Sequence, residues 1–227
     1  MLKSAFFTVL FISMQLLFSG INISYNQPKD ISLRFGNTFE EILKYWNLKT
    51  IVGQDEYEVI RRESGNVLHI LSNKSASILF KKMDIDIYNY PYIRWHWQVN
   101  KFPKYLAGGT DGQNIDDYAA RLCVVFPSWS IWATKFLVYV WDDRVKEQNV
   151  VKPSSFSKNC KILVTQSGKN NKGRWVTEER NIIDDYRLVF GKNPPKTAGG
   201  IGIMSDSDDT RTSTDACYYN IYLRYKE

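Results

Sequence analysis

Carboxylates are the residues of this chain whose spacing comes nearest to chemistry. Four Asp-Asp pairs occur: Asp116-Asp117, Asp142-Asp143, Asp184-Asp185 and Asp208-Asp209. Glycoside hydrolysis needs two carboxyl groups, and calcium needs several carboxylate oxygens. Neighbours on a strand point to opposite faces, so no adjacent pair is itself a catalytic pair. Turn capping accounts for Asp142-Asp143 and Asp184-Asp185. Asp206, Asp208 and Asp209 crowd into Asp206-Ser207-Asp208-Asp209-Thr210 and offer hard oxygen ligands to calcium, although the twelve-residue layout of an EF-hand is missing. An acidic surface loop is the alternative. Asp116, Asp117 and Arg121 make a second charged set at the start of an apolar strand. There, a salt bridge between Asp117 and Arg121 would pin the strand, or the set would form a recognition site at a sandwich edge.

Other chemistries find little support. His69 and His96 are the two histidines, and no HExxH or G-x-S-x-G elbow accompanies them. Gly199-Gly200-Ile201-Gly202 opens a strand, not a helix, so it cannot cradle phosphate on a helix N-terminus. Of three cysteines, Cys123 sits inside the apolar run Arg121 to Phe126 and reads as a small buried hydrophobe. No CxxC or Cys/His spacing suits zinc. An oxidising compartment would allow one bridge, and Cys160–Cys217 is the expected pairing.

The elements that must position these groups are mostly strands. Period-2 runs recur at 58–62, 67–72, 77–81, 92–99, 119–126, 135–142, 161–166, 174–181, 200–204 and 217–225, separated by turn-forming clusters. That pattern predicts a mainly β protein, a jelly-roll-like β-sandwich with one or two short helices. The helices are expected at Thr38–Tyr45, with a Thr cap and Glu40 and Glu41 in the first turn, and at Ile182–Phe190, ending at Gly191. The second is expected to turn Ile183, Tyr186 and Phe190 inward, and it is ambiguous with a strand.

The run Tyr92 to Val99 is the most informative. Ile93, Trp95, Trp97 and Val99 share one face, while Tyr92, Arg94, His96 and Gln98 share the other. The same alternation in the last strand puts Tyr218, Asn220 and Tyr222 on the polar side. Tyr92, Arg94, His96, Gln98, Tyr218, Asn220 and Tyr222 are therefore the candidate ligand-binding face, aromatic for stacking on sugar rings and polar for bonding hydroxyls. Ala119–Phe126 and Lys135–Asp142 are apolar on both faces and belong in a sheet centre covered on both sides.

Met1-Leu2-Lys3 followed by the uncharged run Ala5–Phe18 reads as a signal peptide over 1–20. That run falls short of the roughly 20 residues of a spanning helix. Bulky Leu17 and Phe18 weaken the cleavage site, so an uncleaved N-terminal anchor stays open. The chain is expected to be exported to the periplasm or outside the cell, touching membrane only through that segment. Residues 21–227 suit a single β-sandwich domain. The net charge of +6 is scattered, with no basic stripe, and argues against nucleic acid as partner.

Several pieces together resemble a known family. They are Tyr90-Pro91-Tyr92-Ile93-Arg94-Trp95-His96-Trp97, Asp116-Asp117-Tyr118-Ala119-Ala120-Arg121-Leu122, Tyr139-Val140-Trp141, Asp185-Tyr186-Arg187, Ile201-Gly202-Ile203-Met204-Ser205-Asp206 and Ala216 to Ile221. The chain resembles the family called domain of unknown function 3047 over roughly residues 31–225. The family carries no assigned activity, so the resemblance implies a domain and no reaction. It looks like galactose-binding-type jelly rolls, which implies glycan binding and a structural calcium, with Asn220 standing where such folds often carry an Asp.

Three functions follow as expectations. The first is a non-catalytic glycan-binding module using the polar face. The second is a glycan-processing enzyme using Asp carboxylates near Asp116, Asp117 and Asp208. The third is an envelope protein that binds another protein through an edge strand. Calcium is the one cofactor considered.

Overall fold

The computed structural model describes residues 30–105 and 115–226; the signal peptide expected at 1–20 and the turn cluster expected at 108–112 lie outside the described residues. In chain order, the elements begin with β1 (Asp30–Leu33), α1 (Phe39–Leu43), β2 (Asn47–Val52), β3 (Glu56–Ile60) and β4 (Val67–Asn73). They continue with β5 (Ala76–Asp86), β6 (Tyr92–Lys101), β7 (Arg121–Phe126), β8 (Lys135–Asp142), β9 (Val150–Pro153) and β10 (Cys160–Ser167). The last are β11 (Val176–Asn181), α2 (Ile182–Phe190), β12 (Thr197–Asp206) and β13 (Ser213–Arg224).

The strands form a jelly-roll-like sandwich of two sheets. The first has the order β11-β6-β13-β4-β3, with β1 also paired to β13, and the second has the order β2-β5-β12-β7-β8-β10-β9. Ile93, Trp95, Trp97 and Val99 of β6 are fully buried, as the alternation requires. They meet the inner face of the second sheet. The Trp95 ring lies 5.1 Å from that of Tyr139, and Trp97 lies 6.2 Å from Trp141. Burying each such ring contributes about 2–3 kcal/mol, so these indoles and phenols weld the two sheets.

Both helices form where their caps stand. Thr38 accepts a hydrogen bond from the Glu41 N–H, and Asn181 from those of Ile183 and Asp184. Gly191 ends α2 in the left-handed conformation. The buried stripe of α2 is Ile182, Asp185, Tyr186 and Val189; Tyr186 faces inward as expected, while Ile183 and Phe190 are only partly covered.

Two expectations fail. The cysteines form no bridge. All three are free and buried, with Cys160 on the outer face of the second sheet and Cys217 on that of the first. In β13 the alternation breaks at a bulge between Tyr219 and Tyr222, with Asn220 at φ 50°. The extra residue reverses the facing, so Thr214, Ala216 and Tyr218 point inward before it, and Ile221 and Leu223 after it. Tyr218 is therefore a core residue at 0 % exposure. Its hydroxyl accepts from the Arg121 N–H at 2.7 Å and donates to the Met204 carbonyl at 2.8 Å.

One pairing shapes the outer surface of the second sheet. β8 and β10 run parallel, whereas the other paired strands run antiparallel. A parallel pair needs a long crossover, and residues 143–159 supply it. Val145, Val150 and Phe156 of this crossover pack on the outward apolar side chains of the sheet, among them Val138, Val140 and Ile162.

Candidate functional site

The crossover covers only part of the outward apolar surface of the second sheet, and the remainder is a cleft enclosing about 860 Å³, its open mouth included. Its floor is supplied by β5, β12, β7, β8 and β10 through side chains that include Ile78, Phe80, Met204, Cys123, Phe136 and Cys160. Gly202 gives it depth, because a Cβ there would meet Ile78 Cδ1 at 2.7 Å. Ser154 and Phe156 of the crossover form one wall. Asp116, Arg121, Asp206 and Asp208 close one end.

Register explains the charged end. Arg121 opens β7 opposite Met204, and Asp206 closes β12, so their side chains project outward at neighbouring places. Arg121 Nη2 lies 2.7 Å from Asp206 Oδ2, and Asp206 Oδ1 accepts from the Tyr118 N–H at 2.8 Å. Arg121 also stacks on the Tyr118 ring at 4.7 Å, while its buried Nε has no hydrogen-bond partner among the described residues. Burial pushes the Asp206 carboxyl up to about 8 against the pull of Arg121, and the Asp117 charge adds to the rise. Burial opposes the charge on Arg121 too, but the Asp206 and Asp116 carboxylates more than offset it and the guanidinium stays charged.

Asp116 ties the crossover down. Its Oδ2 accepts from the Ser154 and Ser155 hydroxyls at 2.6 and 3.0 Å and from the Ser155 N–H at 2.8 Å. Asp117 does not pair with Arg121. It accepts instead from the N–H groups of Asp209 and Thr210 at 3.2 and 2.6 Å. Behind it, Arg144 stacks on Tyr118 and Tyr105 and, with Lys152, neutralises the buried Asp142.

Three carboxylates converge here, with oxygens of Asp117, Asp206 and Asp208 all within 4.8 Å of one another. Asp209 is not among them; its Oδ2 accepts from the Asp116 N–H at 3.4 Å. Calcium takes six to eight oxygen ligands. Here Arg121 already occupies Asp206, and backbone N–H groups occupy both oxygens of Asp117, so the donor set fits a guanidinium-neutralised cluster better than a calcium cage. The implied calcium position at Asn220 lies apart from this cluster, at the exposed bulge of β13.

The polar face expected on the first sheet forms, without Tyr218. Tyr92, Arg94, His96, Gln98 and Tyr222 all point outward, and Tyr219 takes the place intended for Tyr218. Several of them are held by neighbouring residues, while the buried Arg94 Nε has no hydrogen-bond partner among the described residues. Arg94 and Arg224 share Glu179 at 3.7 and 2.9 Å, and Arg224 covers the Tyr92 ring. Gln98 donates to Asn100 and to the Gly173 carbonyl, and His96 Nδ1 lies 2.7 Å from the Thr177 hydroxyl. Burial, then the Arg94 charge, holds His96 below the usual imidazole range.

Sequence reasoning missed the cleft and two indoles beyond it. Trp129 and Trp132 are 90 % and 66 % exposed. They sit on the turn joining β7 to β8, at the end of those strands away from Arg121. The signal was present in β7 and β8. Strands apolar on both faces need an outer cover, and the crossover supplies only part of one.

The family model described as "Protein of unknown function (DUF3047)" matches residues 44–222. The chain belongs to that family. No curated protein matches it. Among solved structures, it is similar to the family 11 carbohydrate-binding module of the cellulosomal cellulase Lic26A-Cel5E of Clostridium thermocellum. The identity is 14 % and the TM-score 0.46, over 87 % of this chain and 95 % of that one. It is also similar to the winged bean acidic lectin complexed with methyl-α-D-galactose, at 12 % identity and TM-score 0.42, over 87 % of this chain and 100 % of the lectin.

Proposed function

We propose that this chain is a non-catalytic glycan-binding protein whose site is the cleft on the outer face of the second sheet. One juxtaposition carries the reading: an apolar, ring-bearing floor and wall adjoin an end rich in hydrogen-bonding charge. A pyranose presents an apolar face of C–H groups and a rim of hydroxyls. Phe136 and Phe156 suit the first, and the carboxylates with the guanidinium of Arg121 suit the second. Trp129 and Trp132 extend the path, so a chain of several sugars would run from Arg121 along β7 and β8 to the exposed indoles.

Affinity electrophoresis in gels carrying different polysaccharides tests this. At least one neutral or acidic polysaccharide is expected to retard the wild-type chain. Trp132→Ala and Phe156→Ala are expected to weaken that binding roughly tenfold each, about 1.4 kcal/mol. Trp132 is largely exposed, so its variant should melt as the wild type does. If no polysaccharide retards the chain, or if both variants bind unchanged, the reading fails.

A further inference from the structure

On the opposite side of the sandwich, strand register builds a second arrangement with different chemistry. Glu58 of β3 stands across from His69 of β4, and His69 across from Cys217 of β13. Asp215, two residues before Cys217 on β13, faces the same way. Sequence spacing hid this set, since its members lie 146 residues apart at the widest hydrogen-bonded pair.

We propose that His69 Nε2, a carboxylate oxygen of Asp215 and the sulfur of Cys217 bind a divalent transition-metal ion of the zinc type. The three donor atoms lie within 4.8 Å of one another, and His69 Nε2 is 2.9 Å from Asp215 Oδ1. Imidazole nitrogen, thiolate and carboxylate are the ligand types that zinc takes, and such a mixture excludes calcium and magnesium, which want oxygen throughout. On ligation the Cys217 thiol passes its proton to solvent.

The surrounding shell supplies an independent observation. A metal-bound histidine typically gives its other ring N–H to a carboxylate, which fixes the tautomer and turns the free nitrogen to the ion. Glu58 Oε2 lies 3.4 Å from His69 Nδ1, on the side away from Asp215. Asn100 orients the second ligand, donating to Asp215 Oδ1 at 2.9 Å, and its Nδ2 lies 4.0 Å from the Cys217 sulfur. All three ligands stand on adjacent strands, so the site is positioned by the sheet ladder and not by a loop. Burial and the Asp215 charge push the Cys217 thiol up, and Arg62, whose charge opposes them, is held over the Trp175 ring at 5.5 Å. Three protein donors leave a fourth tetrahedral position for water or for a bound group.

The ordinary alternative is a surface hydrogen-bond network centred on His69, and cobalt distinguishes the two. The metal-free full chain would be titrated with cobalt(II) and followed by absorption. The expected result is one ion per chain, with a thiolate-to-cobalt charge-transfer band in the near ultraviolet that zinc bleaches. Cys217→Ser should abolish the band, and His69→Ala should weaken binding at least tenfold. Glu58→Gln should weaken it roughly tenfold through the histidine alone. Cys123→Ser and Cys160→Ser should leave it intact. In case the Cys217 variant fails to fold, alkylation of the wild-type chain provides a second reading. Zinc should protect Cys217 from iodoacetamide, as mapped by mass spectrometry. Cobalt binding without the band, a band that survives loss of Cys217, or alkylation of Cys217 unaffected by zinc would each overturn the proposal.

Discussion

Glu178 carries an unusual burden for a strand residue. It faces Trp95 across the β11–β6 pair on the inward side, and its Oε1 is buried without a hydrogen-bond partner among the described residues. Burial pushes its carboxyl up to about 7, although Arg180 and the Trp97 indole pull the other way. The Trp97 N–H is close enough to act on the carboxyl but not aligned as a hydrogen bond. A carboxyl raised in the folded state is equally protonated in both states below about 4.5, its ordinary value, and costs stability once it must ionise inside. Stability should therefore fall as pH rises from about 4.5 to 7. Glu178→Gln is expected to melt like the wild type at pH 4 and to be more stable by about 1–3 kcal/mol at pH 8. Equal shifts at both pH values would contradict this account.

At the scale of elements, the legible parts were those with unbroken periodicity. Trp95 and Trp97 face inward as read, β7 and β8 sit centrally in their sheet, the first helix starts beside the Thr38 expected to cap it, and the second spans Ile182–Phe190 and ends at Gly191 as read. The strands that escaped, β1, β2 and β9, are short or border a sheet, where half-exposed side chains carry a weak alternation. The last strand was misread because one inserted residue flips every following side chain, and no residue type announces a bulge outright. Asn220 is the nearest thing to a signal, since asparagine tolerates left-handed backbone better than most residues. That conformation gives a test. Asn220→Gly should leave stability within about 0.5 kcal/mol or raise it, while Asn220→Val should cost about 1–2 kcal/mol. Urea unfolding measures both. A valine variant as stable as the wild type would mean that the strand has no bulge there.

The whole molecule presents two unlike outer faces from one shared core. The first sheet offers a polar and aromatic surface around Arg94 and His96, plus the row through His69 and Cys217. The second offers a cleft, and it exists because a parallel strand pair forces a crossover that covers the apolar sheet only in part. The sequence held the ingredients of that cleft, Asp116, Arg121, Asp206 and Asp208 among them, but their meeting depends on register between β7 and β12. Spacing along the chain does not supply that register, so the pairing of Arg121 with Asp206 is not legible in the sequence. Alternation within one strand, as on the polar face of β6, is visible in sequence, whereas a depression built from five strands and a crossover is not.

The most direct test of the central claim locates a bound sugar chain. An oligosaccharide cut from whichever polysaccharide retards the protein would be titrated into isotope-labelled protein, and amide shifts followed by NMR. The expected changes cluster on β7, β8, β12 and the Ser154–Phe156 segment, with β6 and β13 undisturbed. Shifts concentrated on the outward residues of β6 and β13, around Arg94 and His96, would place the ligand on the wrong sheet and contradict the account.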